Sequence, residues 1–366
     1  MGRVCVLHTH PSYELKGKGK FPIREETKTF LLIHKKNPKN QTNHNPISNQ
    51  NQVTTNKMTE GEGKRMNKKA KEKLVFWLFL VPALSSFILV VVVPFFMGVY
   101  YSMTDWTAVA GQQANWVGLG NYKNMFSDLA FRYSFLRTFL FTLLSVIAIN
   151  AVALTLAFLV TREIRFKNFF RAGFFIPNLI GGLVLGYIWQ FIFKSVVPSI
   201  GTLLGIEALE KVLILAEPNL ALFGLIFAFT WQYAGYIMMI YVAALLNVPQ
   251  ELIEASQIDG ANFIQRLRSI TIPMIAQAFT ITSFLTLVTS FKQYDIIVAL
   301  TNGGPAAIYQ GTTVNSTEML AVHIYSVAFK YNNMAEGQAR AIIFFIVLSV
   351  VSIGQVYYNK KKEVEM

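Results

Sequence analysis

Cysteine is all but missing from this chain of 366 residues. Cys5 stands alone, so no internal disulfide can form. Histidine is nearly as scarce: four of the five lie within the first 44 residues, which leaves His323 by itself and argues against a transition-metal cluster. Charge is thin too. Asp, Glu, Lys and Arg make up 14% of the residues, against about 25% in an ordinary soluble domain. No Gly-x-x-x-x-Gly-Lys-Ser/Thr phosphate loop occurs anywhere, so the polypeptide has no means of cradling ATP itself. What the chain has in quantity is hydrocarbon, with 53% hydrophobic residues, 30 phenylalanines and a mean hydropathy of +0.40. A single water-soluble domain is excluded, and the composition predicts an all-α integral membrane protein.

The net charge of +13 is uneven. Residues 1–65 carry +7 of it, and their stretch from Asn40 to Met58 is rich in Asn and Gln without apolar periodicity. This leader is expected to be disordered. The favoured reading is that translation starts at Met66, because Glu60–Arg65 is encoded almost wholly by purine-rich codons, as a ribosome-binding site would be. The domain proper is then 66–366.

Six apolar runs are long enough to cross a ~30 Å hydrocarbon layer as helices. They fall roughly at 74–101, 137–160, 172–193, 219–246, 272–300 and 338–358. Interior prolines (Pro82, Pro94 and Pro177) are compatible with spanning helices, since neighbours satisfy the freed backbone groups. Lys and Arg set the orientation. Fifteen lie on one side, in 64–73, 161–171, 247–271 and 360–362, and seven on the other across longer loops. Both termini are therefore expected in the cytoplasm. The basic balance reads as membrane anchoring rather than nucleic-acid binding.

The fourth loop, 247–273, is patterned beyond what a spacer needs. Pro249 suits a first helical turn, and Gln250, Glu251 and Glu254 place polar and acidic groups at its positive end. Leu252, Ala255 and Ile258 fall near one face, and Gly260 is a natural stop. Phe263, Leu267 and Ile270 repeat at i, i+4, i+7 with Arg266 and Arg268 outside that stripe, and Pro273 is expected to open the fifth span. The pattern predicts a helix–turn–helix at the cytoplasmic surface. It is either an interfacial element resting on lipid or a docking element for a soluble partner.

Glu254-Ala255-Ser256, three residues, Gly260, nine residues, then Ile270-x-Ile272-Pro273 resembles the EAA loop of binding-protein-dependent ABC importers. Ser256 stands for Ala and Ile272 for Leu. The resemblance covers nearly all of residues 70–366. Glu251-Leu-Ile-Glu-Ala, Ile258-Asp259-Gly260-Ala261 and Leu300-Thr-Asn-Gly-Gly-Pro305 are similar to the carbohydrate branch. Val117-Gly-Leu-Gly-Asn-Tyr122 and the Lys-rich tail are similar to the maltose-type first membrane subunit, although the large insertion of the enteric maltose protein is missing. The resemblance implies a type I ABC importer transmembrane domain with six helices, and no catalysis by this chain. It implies a second six-span permease, two cytoplasmic ATPases that carry the ATP and Mg, and an extracellular solute-binding lipoprotein. Glu251, Glu254, Ala255, Ser256, Asp259, Gly260, Ala261, Ile270 and Pro273 would form the ATPase-coupling loop.

Charge inside a span calls for a functional reading. Lys292 and Asp295 are i and i+3 in the fifth span and are expected to share a face and pair, about 28 Å along the helix from Pro273 at ~1.5 Å per residue. With Phe291 and Tyr294 they are candidates for the solute path, and the resemblance favours that over a structural pair. Trp231, Gln232, Tyr233 and Tyr236 on the fourth span offer the rings and hydrogen-bonding groups that sugars need, although an interfacial aromatic belt is an equal reading. Gly182-x-x-x-Gly186 reads as helix packing, and His323 as an ordinary outer-loop residue. The leading function is import of a sugar or oligosaccharide. Alternatives are an ABC permease for glycerol phosphate or an amino acid, an ion-coupled secondary transporter, disfavoured by the missing mid-membrane acidic cluster, and a membrane scaffold.

Overall fold

The computed structural model describes residues 50–107, 109, 113–162 and 165–360. Of the leader, 1–49 lie outside the described residues. The rest is not irregular as expected: helix α1 begins at Gln50 and runs to Phe87. Helical hydrogen bonds are local and need no buried core, so a polar stretch can form them without apolar periodicity.

The chain falls into two units, Met1–Leu80 and Val81–Met366. In the first, the α1 side chains from Leu74 to Phe79 are apolar and exposed, as a lipid-facing helix requires. In the second, a π-helical turn at Ile88–Val92 leads into α2 (Val93–Tyr101). Then come α3 (Gly120–Ser127), α4 (Leu129–Thr161), α5 (Lys167–Leu179), α6 (Gly182–Phe191), α7 (Val197–Leu204), α8 (Glu207–Glu210) and α9 (Pro218–Leu246). After these follow α10 (Gln250–Ile258), α11 (Phe263–Arg266), α12 (Ile272–Met274), α13 (Ala276–Phe291) and α14 (Asp295–Thr301). The strands β1 (Ala306–Tyr309) and β2 (Thr312–Asn315), then α15 (Leu320–Tyr325) and α16 (Met334–Lys360), complete the chain.

Among the described residues, five helical stretches are long and apolar enough to cross a membrane: Ala70–Tyr101, Leu129–Thr161, Gly182–Leu204, Pro218–Leu246 and Met334–Asn359. A sixth, Phe263–Met274 with Ala276–Phe291, is bent by 70°. This is a multi-pass helical membrane protein.

Two of the expected spans are redrawn. The third is not 172–193. The chain breaks at Ile180, whose backbone is extended, and the spanning helix starts two residues later at Gly182. Composition hides the break because both sides are apolar; the freed Ile180 carbonyl accepts from Gln232 Nε2 of α9 at 3.1 Å. The fifth span is not one helix over 272–300. It bends at Ile275 and stops again after Phe291.

Helices α4 and α9 form the centre. Phe141 and Phe229 meet at 5.4 Å between ring centroids, and Ile149, Ala153, Ala157, Leu225 and Ile237 are all buried there. Small residues bring other backbones into contact. A Cβ on Gly235 of α9 would fall 1.7 Å from the Phe174 carbonyl oxygen of α5. Gly186 of α6 faces Ala299 of α14 and Gly182 faces Asp295, so the Gly182-x-x-x-Gly186 pair is a packing seam. The small antiparallel hairpin, with Gln310 and Gly311 at positive φ in its turn, was not expected from the sequence. The Val117–Tyr122 motif is structural: Asn121 Nδ2 donates to the Ser102 and Thr104 carbonyls at 2.8 and 2.7 Å.

Candidate functional site

The loop 247–273 is prefolded by its own caps. Pro249 precedes α10 as its N-cap, and Glu251 lies in the first turn. At the far end the Ala261 N–H donates to the Ser256 carbonyl at 2.9 Å and the Gly260 N–H to the Gln257 carbonyl at 3.1 Å, the paired bonds of a Schellman stop. Gly260 sits at φ +77°, a region that costs any residue with a Cβ roughly 1–2 kcal/mol. Helix α11 then opens on a capping box, Asn262 Oδ1 accepting from the Gln265 N–H and Gln265 Oε1 from the Asn262 N–H. The Arg266 guanidinium donates to the Ala261 carbonyl at 2.9 Å, bracing the turn.

On this element Glu251, Glu254, Ala255, Asp259 and Gly260 are exposed, and Ala261, Ile270 and Pro273 are half-buried. Ser256 is buried, with its hydroxyl donating to the Ile253 carbonyl at 2.7 Å, which accommodates a serine where alanine was expected. Ile258 is 87% exposed and Ile264 70%, beside exposed Leu252 and Phe263. Pro273 does not open the long helix. It lies in α12, and α13 starts only after the bend at Ile275.

The polar residues of the fifth span occupy a helix break. Lys292 ends α13, Tyr294 has a non-helical backbone, and Asp295 begins α14. The expected i, i+3 pair therefore does not form: with the helix interrupted, no ion pair joins Lys292 to Asp295 among the described residues. Both are exposed, while Phe291 is buried and packs on Phe344. Asp295 lies against Gly182 at the start of α6 and close enough to Tyr233 and Tyr294 to act on both electrostatically. Tyr294 in turn meets Tyr325 at 5.4 Å. The structure thus brings Tyr233, Tyr294 and Asp295 together. It separates Gln232, which is buried and holds the Ile180 break, and Trp231, which is exposed and packs edge-on to Trp189 at 5.5 Å. Tyr236 lines a different groove, with Arg171 and Phe175 of α5.

The sequence reading missed a buried ion cluster at the end of the bundle opposite the coupling loop. His323 is no ordinary loop residue, at 3% exposed. Its Nδ1 lies 3.3 Å from Glu318 Oε1 and its Nε2 3.7 Å from Asp128 Oδ2. Arg340 is also buried, donating to Asp128 Oδ2 at 3.0 Å and Glu336 Oε2 at 2.7 Å. The His323 imidazole, 3.7 Å away, holds the Asp128 carboxyl well below the usual carboxylate range, helped by the Arg340 hydrogen bond and against a smaller upward push from burial. Burial pushes Glu318 up, but bonds from His323 and Asn315 outweigh it and leave it lowered. Burial likewise pushes His323 down, and the two carboxylates outweigh it and raise it.

Residues 153–363 match the model of the family described as binding-protein-dependent transport system inner membrane component. The chain is 43% identical over 304 residues to the probable starch degradation products transport system permease protein AmyD of Thermoanaerobacterium thermosulfurigenes, covering 82% of this chain and 100% of that one. It is 32% identical over 297 residues to the multiple sugar-binding transport system permease protein MsmF of Streptococcus mutans serotype c, covering 81% and 99%. In fold it is similar to a chain of a bacterial ABC transporter involved in the import of the acidic polysaccharide alginate, with a TM-score of 0.66 at 20% identity over 81% of this chain and 99% of that one. With that agreement in sequence over most of the chain, and in fold over the helices that hold the loop and the break, the chain belongs to the family of ABC importer inner-membrane permease components.

Proposed function

We propose that this chain is one of two membrane subunits of an ATP-driven importer for oligosaccharides, α-linked glucose oligomers among them. Similarity at 43% identity, over the full length of a permease named for starch degradation products and 82% of this chain, is the observation that carries the choice of solute. In this reading a second six-span permease completes the path, two cytoplasmic ATPases bind ATP and Mg, and an extracellular solute-binding lipoprotein delivers the sugar. The Lys and Arg distribution supports cytoplasmic termini.

The division of labour follows from the two ends of the molecule. The capped loop 247–275 presents Glu251, Glu254 and Asp259 beside exposed Leu252, Ile258, Phe263 and Ile264. An apolar patch with a charged rim is the composition of a protein contact, and here it would receive the ATPase. Asp295, Tyr233 and Tyr294, with Lys292 exposed at the same helix break, combine carboxylate, hydroxyls and rings. Sugars bind such sets because their C–H faces stack while their hydroxyls hydrogen-bond.

The test is uptake of radiolabelled maltotriose by the complete importer in proteoliposomes, with glycerol 3-phosphate as the comparison solute. Maltotriose is expected to accumulate with ATP and not without it. A Glu254→Lys chain is expected to stay in the membrane but lose co-purifying ATPase and uptake together. Accumulation of glycerol 3-phosphate instead would overturn the solute, and normal uptake by Glu254→Lys would overturn the coupling role.

A further inference from the structure

Deep in the bundle, three helices are joined by a closed circuit of side chains. The Thr282 hydroxyl of α13 donates to Tyr241 Oη of α9 at 2.7 Å. The Tyr241 hydroxyl donates to Asn150 Oδ1 of α4 at 2.7 Å. Asn150 Nδ2 donates to Thr286 Oγ1 of α13 at 3.1 Å and to the Val146 carbonyl at 2.8 Å. The Thr286 hydroxyl returns the circuit to the Thr282 carbonyl at 2.8 Å. Tyr241, Thr282 and Thr286 are each 0% exposed. Asn150 is half-buried, and its amide is fully engaged by Tyr241, Thr286 and the Val146 carbonyl.

Its position gives the ring a second meaning. Helix α9 ends at Leu246 and α13 begins at Ala276, so both strands of chain entering the coupling loop pass through it. Tyr241 and Thr282 lie about 8 Å inside those helix ends at ~1.5 Å per residue. The Tyr241 ring also packs on Phe279 at 5.1 Å, one turn nearer the loop. Helix α4 is remote from the loop in sequence, yet Asn150 ties it to both of the helices that carry the loop. At its other end, 22 residues on, α4 is capped by Asp128 of the buried ion cluster.

We propose that the ring of Asn150, Tyr241, Thr282 and Thr286 is the fulcrum that carries displacement of the coupling loop into α4, with Tyr241 and Thr282 as positioning residues for transport. The inference rests on the coupling role of loop 247–275 argued above. The Thr282 and Thr286 hydroxyls also reach the Phe279 and Ser283 carbonyls of their own helix at 3.3 and 3.2 Å. The Tyr241 hydroxyl, however, joins α9 to α4 directly through Asn150 Oδ1, so sliding these helices past one another breaks that bond. A push delivered to α9 and α13 by the loop therefore moves α4 with them, and reaches the Asp128 end of the bundle as a displacement of a rigid helix.

The test uses the complete importer in nanodiscs, with a fluorophore on Leu136→Cys in a Cys5→Ser background. Leu136 is an exposed residue on α4, at 54%. ATP with vanadate is used to trap the ATPases in their closed state. The expected result is a fluorescence shift in the parent that falls at least about threefold in Tyr241→Phe and in Thr282→Val, with ATPase co-purification unchanged. Thr282→Ser, which keeps the hydroxyl, should restore it. No shift in the parent, or an undiminished shift in both variants, overturns the proposal. If neither variant assembles while Thr282→Ser does, the ring is structural and the proposal also fails. The Glu254→Lys chain separates the two readings: its normal docking and uptake would remove the coupling role itself, whereas its loss of docking with undiminished Tyr241→Phe and Thr282→Val signals would remove only the fulcrum.

Discussion

Arg340 Nη2 donates to Asp128 Oδ2 at 3.0 Å across 212 residues of sequence. The same carboxylate caps α4 by accepting the Ala130 N–H at 2.9 Å, so one aspartate fixes the start of α4 and binds it to α16. The Arg340 side chain is 4% exposed and carries Glu336 on its other arm.

Arg340→Met would remove the guanidinium that binds both Asp128 and Glu336. A loss on the order of 2–4 kcal/mol is expected, because a buried pair broken on one side strands its partner. Arg340→Lys should recover only part of it, since a single ammonium does not reproduce the guanidinium fork. Thermal stability of the detergent-solubilised chain, read by size-exclusion chromatography after heating, checks both. Equal melting of all three forms would show that the cluster is not stabilising.

The cluster should also give stability a pH window. His323 is raised above its ordinary 6.5, so its contribution is complete below that value and is lost as pH rises through the folded pKa. Asp128 and Glu318 are lowered below 3.8 and 4.5, so theirs is present above those values and is lost as pH falls through the folded ones. Stability is expected to be greatest in mildly acidic buffer and to decline toward pH 9. His323→Asn should flatten the alkaline limb and also shrink the acid limb, because the same imidazole lowers Asp128 and Glu318. An alkaline limb unchanged in that variant would assign the decline to other groups.

Gly260→Ala introduces a Cβ at φ +77° with no atom within 4 Å to obstruct it, so the cost is conformational, about 1 kcal/mol. Uptake is expected to fall a few-fold with the ATPase still bound. Gly260→Pro goes further, because it also deletes the N–H given to the Gln257 carbonyl. That chain is expected in the membrane without its ATPase. Quantifying co-purified ATPase beside uptake distinguishes the two grades.

Since Lys292 and Asp295 are exposed at a break and not paired, neither substitution should strand the other. Lys292→Ala and Asp295→Ala are each expected to reduce uptake several-fold while leaving assembly intact. Their effects should add in the double variant, as for independent sites. A double variant no worse than either single one would restore the idea of a functional pair.

The coupling loop was legible because its instructions are local. Pro249 and Gly260 each act within a few residues, and the structure starts and stops α10 where they stand; the Asn262–Gln265 box is as local but was not read from the sequence. The membrane class was equally open, since apolar runs of spanning length have few other uses. Hydropathy alone could not locate the interruptions. The break at Ile180 depends on Gln232 from a different helix, and the one before Asp295 lies in a stretch where α6 crowds in through Gly182 and Gly186.

Partnership over long separations was not written in any window of sequence. His323 looked like a solitary loop histidine until the fold placed Asp128 and Glu318 on either side of it. Tyr241 looked like one more aromatic until Asn150 and Thr282 arrived from two other helices. Local rules of capping, turn geometry and hydrophobic length act through the chain itself, so the sequence by itself determined the membrane class, the apolar runs of spanning length and the start and stop of α10. Which polar groups are buried together depends on how the apolar helices pack. A buried donor without water accepts whichever acceptor that packing supplies, and only the tertiary structure decided that.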